Sequence, residues 1–259
     1  MRHAELGALE DKPGSLLPRE AIISLVVFAI LWETLSRLSP ALGIPAFAVP
    51  SFVRIGESLA KVTLIDTAVT LARVLGALAV SFALGVAGAV LMYVSRPFER
   101  YSKPLMRLVM AVPVVSWILF GILWFKWVEF RICFVLMVVC APVFVVDILD
   151  AMRGVPRELR QMTRSFRPTR TQFFIKLMLP AALPGILTSW KINLSLAIRV
   201  VTIAELVGAV TGVGHQLSVA QELFSVSDVF AWTLVLVALL FALEGFVNWL
   251  EHRMLRWRT

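Results

Sequence analysis

Long apolar runs separated by short polar connections constrain this chain more than any other feature. Several runs approach the roughly 20 residues needed to cross a bilayer core, and the 259-residue chain is 59% hydrophobic but only 16% charged. A soluble domain of this size carries more charge, and a transmembrane barrel would show short alternating segments, which are absent. The pattern predicts an all-α, polytopic membrane protein with spans at Ala21–Leu38, Thr70–Ser95, Leu105–Trp127, Ile132–Asp150, Ala181–Gly208 and Val229–Leu250.

The distribution of Lys and Arg orients the chain. The connections after the second and fourth spans and the C-terminal tail are rich in these residues, whereas the connection between Gly208 and Val229 has none. Cytoplasmic loops carry such an excess. Residues 1–20 and 251–259 are therefore predicted to be cytoplasmic tails around a transmembrane domain over residues 21–250. The net charge of +8 is then explained by loops that meet anionic membrane lipid, and not by nucleic acid.

A strongly basic segment, residues 151–180, separates the fourth and fifth spans. Pro156 can begin a short helix, and Arg167 favours a turn because it precedes a proline. A second helix is predicted over Thr169–Met178 and is expected to end at Pro180. The segment should therefore form a helix–turn–helix elbow under the membrane, which suggests a docking site for another protein.

The elbow and several shorter motifs resemble one family. The elbow reads PRELRQMTRSFRPTRTQFFIKLMLPAALPGI over residues 156–186. It is similar to the cytoplasmic loop of type I ATP-binding-cassette importer permeases, and more narrowly to the nitrate, sulfonate and taurine branch. The resemblance covers nearly the whole chain, because further motifs follow in the family's order at Val49-Pro50-Ser51, Ile122-Leu123-Trp124-Phe125, Ala204-Glu205-Leu206, Gly212-Val213-Gly214 and residues 251–258.

The resemblance implies a permease fold of about six transmembrane helices, in the inner membrane of a bacterium, with the elbow forming coupling helices. It also implies partners: ATPase subunits that hold ATP and Mg, a second permease chain that is identical or different, and an extracytoplasmic solute-binding protein received by residues 209–228. The residues placed at the ATPase contact by this resemblance are Glu158, Leu159, Gln161, Met162, Thr163, Ser165, Phe166, Arg167, Arg170 and Phe174.

The elbow departs from the family pattern at two places. Gln161, Met162 and Thr163 stand where the family has Glu-Ala-Ala, and Arg167 stands where it has glycine. Because a positive φ at an arginine is strained, a different kind of turn is expected there. Three explanations are open: an ATPase matched to this loop, pairing with a more typical permease, or drift within the family.

Motifs for catalysis are missing from the sequence. There is no Gly-Lys dipeptide, and therefore no Gly-x-x-x-x-Gly-Lys phosphate loop. The three histidines are too scattered to suggest a metal site, and the two cysteines, which lie seven residues apart in one apolar run, are expected to be small packing residues. The chain is expected to be no enzyme and to bind no cofactor, with ATP hydrolysis on a partner. The alternatives are an ion-coupled secondary transporter, which would show internal repeats, and a membrane enzyme or scaffold, which would need a catalytic cluster.

The fifth span carries a polar stripe. Thr188, Lys191, Ser195, Arg199 and Thr202 fall within about 80° of one another on a helix. Cations inside a span are costly unless they face water, protein or ligand. The stripe is therefore predicted to line a translocation path that favours a small anion, which suits the resembled branch. For Lys191, bracing near the cytoplasmic end is the alternative, and for Arg199 a structural role stands beside a substrate or gating role.

Glu205 and Trp117 complete the predicted path. Glu205 lies about 120° around the helix from Arg199, so the two are not expected to pair. A cation on another helix, or a loop that Glu205 caps, is the alternative to a path role. Trp117 follows Pro113, whose missing N–H predicts a kinked or broken third span with freed carbonyls, and Pro142 predicts the same in the fourth span. Ordinary packing is the alternative for each.

Overall fold

The computed structural model describes residues 19–45 and 47–255, and no strand occurs within them. The all-α fold predicted from the sequence is confirmed. Two compact units divide the chain, one up to Glu57 and one from Ser58 onward. The helices are α1 (Arg19–Leu38), α2 (Phe52–Leu59), α3 (Leu64–Val94), α4 (Arg96–Ala111), α5 (Val114–Trp124), α6 (Val128–Arg153), α7 (Arg157–Ser165), α8 (Arg170–Phe173), α9 (Leu179–Gly208), α10 (Val213–Glu222) and α11 (Val226–Met254).

Five helices of the described chain are long and apolar enough to cross a membrane, and α4 with α5 makes a sixth if the bent pair counts as one span. The other predicted spans correspond to α1, α3, α6, α9 and α11, with longer ends. Thus α3 begins at Leu64 instead of Thr70, and α11 continues to Met254, inside the predicted tail. Polar side chains such as Asp66 lower the hydropathy near these ends, so a hydropathy pattern places the boundary of the span too far inside the helix. The helix itself can continue, because Asp66 is buried and accepts a hydrogen bond.

The break that Pro113 predicts in the third span is confirmed, because α4 and α5 are bent by 93° at this residue. Pro113 has no N–H to donate to the carbonyl of Val109. That carbonyl instead accepts the Val112 N–H and the indole N–H of Trp117, both at 3.4 Å. Pro142, by contrast, lies inside an uninterrupted α6. Of the two prolines, only Pro113 breaks its helix.

Helices α3 and α6 run in the same direction. Near their starts, Arg73 bonds Glu129, and further along both helices a Cβ on Gly85 would lie only 2.4 Å from Phe144 Cβ. A glycine at such a crossing lets two backbones approach closely. Two parallel spans need a return crossing between them, and α4 and α5 together provide it.

Helix α9 runs antiparallel to α6, since Ser189 donates to Asp147 at 2.8 Å and a Cβ on Gly185 would meet Ala151 at 2.6 Å. Helix α11 begins shortly after α10, whose Gly214 lies beside Glu205 at the end of α9, and the last turn of α11 meets α9 through the ion pair between Lys191 and Glu251. Helix α11 is therefore antiparallel to α9. One end of this unit, the loop end, holds the starts of α3, α6 and α11 and the end of α9. The other, the elbow end, holds their opposite ends and residues 154–178.

The core lies where α3, α6 and α9 meet. The rings of Phe82, Phe144 and Trp190 cluster with centroids 5.2 to 5.6 Å apart, and Phe144 is completely buried. Such offset and edge-on aromatic contacts add to the packing of apolar helices. This core holds α9 between the elbow and the loop end.

Candidate functional site

The first helix of the elbow, α7, presents an apolar face with few contacts. Leu159, Met162 and Phe166 are 45%, 63% and 77% exposed, and their spacing places them on one side of the helix. Adjoining exposed apolar side chains mark a contact surface. The other residues predicted to contact a partner are exposed at Glu158, Gln161, Ser165 and Arg167 and half-buried at Thr163 and Phe174, and the side chain of Arg170 lies outside what the structure describes.

The elbow turns at Arg167, whose φ is +48°. The expectation that an arginine avoids this region is wrong: Arg167 adopts the left-handed conformation that a glycine takes without strain. The following Pro168 disfavours right-handed helix at Arg167, and the Arg167 N–H donates to the Arg164 carbonyl at 3.0 Å. The left-handed conformation costs a residue with a side chain about 1–2 kcal/mol.

A reciprocal pair of hydrogen bonds starts the second helix of the elbow. The Thr169 N–H donates to Gln172 Oε1 at 3.1 Å, and the Gln172 N–H donates to Thr169 Oγ1 at 3.2 Å. This capping box satisfies two backbone donors at the helix start. The start predicted near Thr169 is therefore confirmed.

The predicted end of that helix at Pro180 is wrong. Helix α8 passes through a π-helical turn, Phe174–Met178, directly into α9. In that turn the Leu179 N–H donates to the Phe174 carbonyl, so the wider spacing falls just before the proline that cannot donate. The second helix of the elbow is thus continuous with a membrane span.

At the loop end, Glu205 is completely buried. Its carboxylate accepts hydrogen bonds from Thr70 Oγ1 at 2.9 Å, from Arg73 Nη1 at 2.8 Å and from the Gly214 N–H at 2.9 Å. A buried carboxylate is costly unless it is paired and hydrogen-bonded. Three donors from two other helices meet that requirement here.

Arg73 connects Glu205 to α6 and to the loop before α10. Its Nε and Nη2 donate to the Glu129 carboxylate at 2.9 and 2.6 Å, and its Nη1 also donates to the Thr211 carbonyl at 2.7 Å. Asp66 accepts from the Gly212 N–H and from Gln216 Nε2, both at 2.9 Å. We call Asp66, Thr70, Arg73, Glu129 and Glu205, with residues 211–216, the loop-end cluster.

Two glycines of the loop-end cluster leave no room for a side chain. A Cβ on Gly212 would lie 2.5 Å from the Glu205 carboxylate, and its φ of +108° suits only glycine. A Cβ on Gly214 would lie 2.4 Å from the Thr202 carbonyl oxygen and 2.6 Å from Glu205 Cβ. The pairing of the Ala204-Glu205-Leu206 and Gly212-Val213-Gly214 motifs thus has a physical cause, because the glycines let the loop backbone reach the carboxylate.

The polar stripe of α9 lies on a side that its own unit leaves partly open. Arg199 and Thr188 are exposed, and Lys191, Ser195 and Thr202 are half-buried. The two threonine hydroxyls donate to carbonyls of their own helix. Arg199 has no hydrogen-bond or ion-pair partner within residues 19–45 and 47–255.

Three other residues predicted for the path have partners inside the chain. Lys191 bonds to Glu251 of α11, with both side chains partly exposed. Glu205 belongs to the loop-end cluster and meets Arg73 instead of Arg199. Trp117 lies with its ring centroid 5.8 Å from that of Phe120 and donates to the carbonyl freed by Pro113. Arg199 is therefore the stripe's cation that remains available to a ligand.

Most of the loop-end cluster escapes prediction from the sequence. No motif points to Asp66, Arg73 or Glu129, and Thr70 is only the first residue of a predicted span. One signal is present: Asp66, Thr70 and Arg73 are spaced by four and three residues, which places three polar groups on one side of α3. Such a polar face on a span needs partners in another helix.

Comparison with known proteins places the chain among transport permeases. Residues 79–256 match the family model described as binding-protein-dependent transport system inner membrane component. SsuC of Bacillus subtilis (strain 168), whose name assigns it to aliphatic sulfonates transport, is 29% identical over 177 residues, which cover 68% of this chain and 64% of that protein. The formylaminopyrimidine transport permease protein ThiX of Halalkalibacterium halodurans is 26% identical over 249 residues, or 92% of this chain and 96% of that one.

A solved structure shares the fold. A structure titled as inward-facing conformations of the MetNI methionine ABC transporter aligns with a TM-score of 0.60 and 24% identity. The alignment covers 73% of this chain and 93% of that chain. At this identity the likeness concerns the fold alone.

Proposed function

The chain belongs to the family of binding-protein-dependent transport system inner membrane components, the permeases of ATP-binding-cassette importers, and on that premise we propose that it forms part of a translocation path for a small anion, driven by a separate ATPase. The family resemblance in the sequence motifs is confirmed by this membership. The proposal of an anionic cargo depends on Arg199, an exposed cation on α9 that forms no ion pair with a described residue.

An unpaired guanidinium within a membrane span favours an anionic ligand. The cost of keeping it there falls when it faces water or an opposite charge, and a planar guanidinium binds sulfonate, carboxylate or nitrate oxygens in pairs. Sulfonates, in the name of the Bacillus relative, are anions, but the formylaminopyrimidine of the other relative's name is not. The names of the relatives therefore do not identify the cargo as an anion, and this part of the proposal depends on Arg199.

The apolar face of α7 is the proposed contact with the ATPase, which would bind the ATP and Mg. Leu159, Met162 and Phe166 project from α7, and a compact helix in a groove of a partner transmits the partner's movement. The π-helical turn carries that movement on, because it continues into α9 without a break. The atypical Gln161, Met162 and Thr163 then call for an ATPase matched to this elbow.

The elbow end is proposed to face the cytoplasm of a bacterial inner membrane, since it carries the excess of arginines. The loop end then faces outward, where α10 and residues 209–228 receive a solute-binding protein. The open side of α9 is covered by a second permease chain, and the path runs between the two. Both termini are proposed to be cytoplasmic.

Affinity purification in mild detergent tests the ATPase contact. An ATPase should copurify with the wild-type chain and be lost with Met162→Ser combined with Phe166→Ser. Tyr101→Ser serves as the matched control, because Tyr101 is 76% exposed on α4, outside the elbow, and should retain the partner. If no ATPase accompanies a stable wild-type chain, the proposed coupling is wrong and an ion-coupled transporter becomes the better reading.

Uptake measurements test the path. With taurine, methanesulfonate and nitrate as probes, Arg199→Gln should lower uptake about tenfold or more, the effect of removing one charge-assisted contact, while the complex still assembles. Arg100→Gln on α4, an exposed arginine outside the stripe, should leave uptake unchanged. Unchanged uptake in the Arg199 variant would remove this residue from the path.

A further inference from the structure

Two opposite charges stand unpaired in the middle of the long helices. Four charged side chains of α3, α6, α9 and α11 lie more than seven residues from a helix end. Two of them are paired, Arg73 with Glu205 and Lys191 with Glu251. The other two, Arg199 of α9 and Glu244 of α11, have no hydrogen bond or ion pair among the residues that the structure describes. A charge at such a depth is costly without a partner.

The two unpaired charges lie at the same depth. Helices α9 and α11 are antiparallel, and the Lys191–Glu251 ion pair fixes their register. Arg199 is about 12 Å further along α9 than Lys191, and Glu244 is about 10.5 Å back along α11 from Glu251, at 1.5 Å per residue. The difference is a fraction of one helical turn.

They also lie on the same side of the contact between the two helices. Glu244 precedes Glu251 by seven residues, which is nearly two full turns, so it projects from α11 on the side where Glu251 meets Lys191. Leu243 and Val247 occupy the neighbouring side and pack against the core. Arg199 lies about 80° around α9 from Lys191, on the open side of the helix. Both charges therefore project from the same side of the α9–α11 pair, and we call the space between them the groove.

We propose that Glu244 is the counter-charge of Arg199 and a specificity-determining residue of the path. The two side chains make no ion pair in this structure, but they pair across this groove in the assembled transporter when its path is empty. A bound anion then replaces the carboxylate on the guanidinium. The inference rests on the proposed function, because the competing anion is the proposed cargo. The replacement explains how a mid-membrane arginine is tolerated while the path is empty, and how an anion held there can be released.

Proximity is tested by cross-linking, independently of transport. In a chain carrying Cys133→Ala and Cys140→Ala, Arg199→Cys and Glu244→Cys should be linked within one chain by a short bifunctional thiol reagent. Phe246→Cys replaces Glu244→Cys in the control, since Phe246 is 58% exposed and points to the opposite side of α11, about 200° away. No link in the first pair, or a link only between two chains, overturns the assignment.

Interaction is tested by a double-mutant cycle in the purified complex. Arg199→Gln and Glu244→Gln should each lower the thermal midpoint, and the double variant should recover most of the loss, because neither charge is then left alone. Additive losses would overturn the pair. Glu244→Gln should also lower the KM for the transported anion about fivefold, the lower end of such a coupling, and an unchanged KM would overturn the competition.

Failure of the pair and failure of the path give different results. If Arg199→Gln abolishes uptake while the cycle is additive and no link forms, the path stands and the pair is wrong. If the link forms and the cycle is non-additive while Arg199→Gln leaves uptake unchanged, the pair stands and the path through Arg199 is wrong.

Discussion

The two ends of α9 differ in whether the groups around them have partners within the chain. At the loop end, the carboxylate of Glu205 is buried and accepts from three donors of the same chain. At the elbow end, Met162 and Phe166 project with 63% and 77% of their surface exposed. The loop end is complete within one chain, whereas the elbow end lacks the surface that would cover it. Helix α9 thus connects the loop-end cluster, whose polar groups are paired within the chain, to the exposed apolar face of α7.

This difference predicts which variants lower the stability of the chain itself and which ones weaken its assembly with a partner. Polar groups that satisfy one another hold the helices in one arrangement, and removing one leaves the rest unpaired. Exposed apolar groups contribute little until they are covered. Effects on the stability of the isolated chain should therefore decrease from the loop end to the elbow end.

Glu205→Ala should have the largest effect. It leaves Arg73, whose side chain is 6% exposed, with only part of its counter-charge, and breaking a buried pair in this way costs about 3 kcal/mol. The expected result is a lower yield and a strongly lowered thermal midpoint in detergent. Glu158→Ala on the exposed side of α7 is the control. Equal midpoints for the two variants would contradict the importance of the loop-end cluster.

Gly214→Ala should come next. Its Cβ would lie 2.4 Å from the Thr202 carbonyl oxygen, so backbone must shift, and overpacking of this kind costs about 1–3 kcal/mol. Gly245→Ala is the matched control, because a Cβ there meets nothing within 4 Å in the described chain. The control should keep or raise the thermal midpoint. A neutral Gly214→Ala would mean that the loop does not hold Glu205 as closely as the structure has it.

Arg167→Gly should act in the opposite direction. Glycine accepts a φ of +48° without steric cost, so the substitution should stabilise the elbow by about 1 kcal/mol. The measurement is protection of the amides of residues 157–173 from hydrogen exchange. Arg160→Gly, inside α7, should reduce protection instead, since glycine weakens a helix interior. Reduced protection in both variants would show that Arg167 is not strained.

Phe166→Ala should have the smallest effect on the chain. A side chain that is 77% exposed loses few contacts, so the free energy of unfolding should change by less than about 0.5 kcal/mol. Thermal melting of the purified chain checks this, and ATPase retention in mild detergent checks the contact. A large drop in the melting midpoint would show that Phe166 packs inside this chain instead of against a partner.

Local rules predicted some features of the elbow and failed at others. The turn before Pro168 follows from steric exclusion at the preceding residue. The rule that a proline ends a helix failed at Pro180, because a π-helical turn placed the missing donor where the helix could continue. At Pro113 the same rule held, and the freed carbonyl found Trp117. Proline therefore ends a helix at Pro113 but not at Pro180.

The sequence by itself determined which segments are membrane helices, which of the chain's connections are basic, and to which family the motifs point. Hydropathy, charge and short motifs are local properties, so they can be read along the chain. Only the tertiary structure decided the partner of each charge. Glu205 meets Arg73 across 132 positions, and Lys191 meets Glu251 across 60. Such pairs depend on how α3, α9 and α11 pack, which no local pattern encodes.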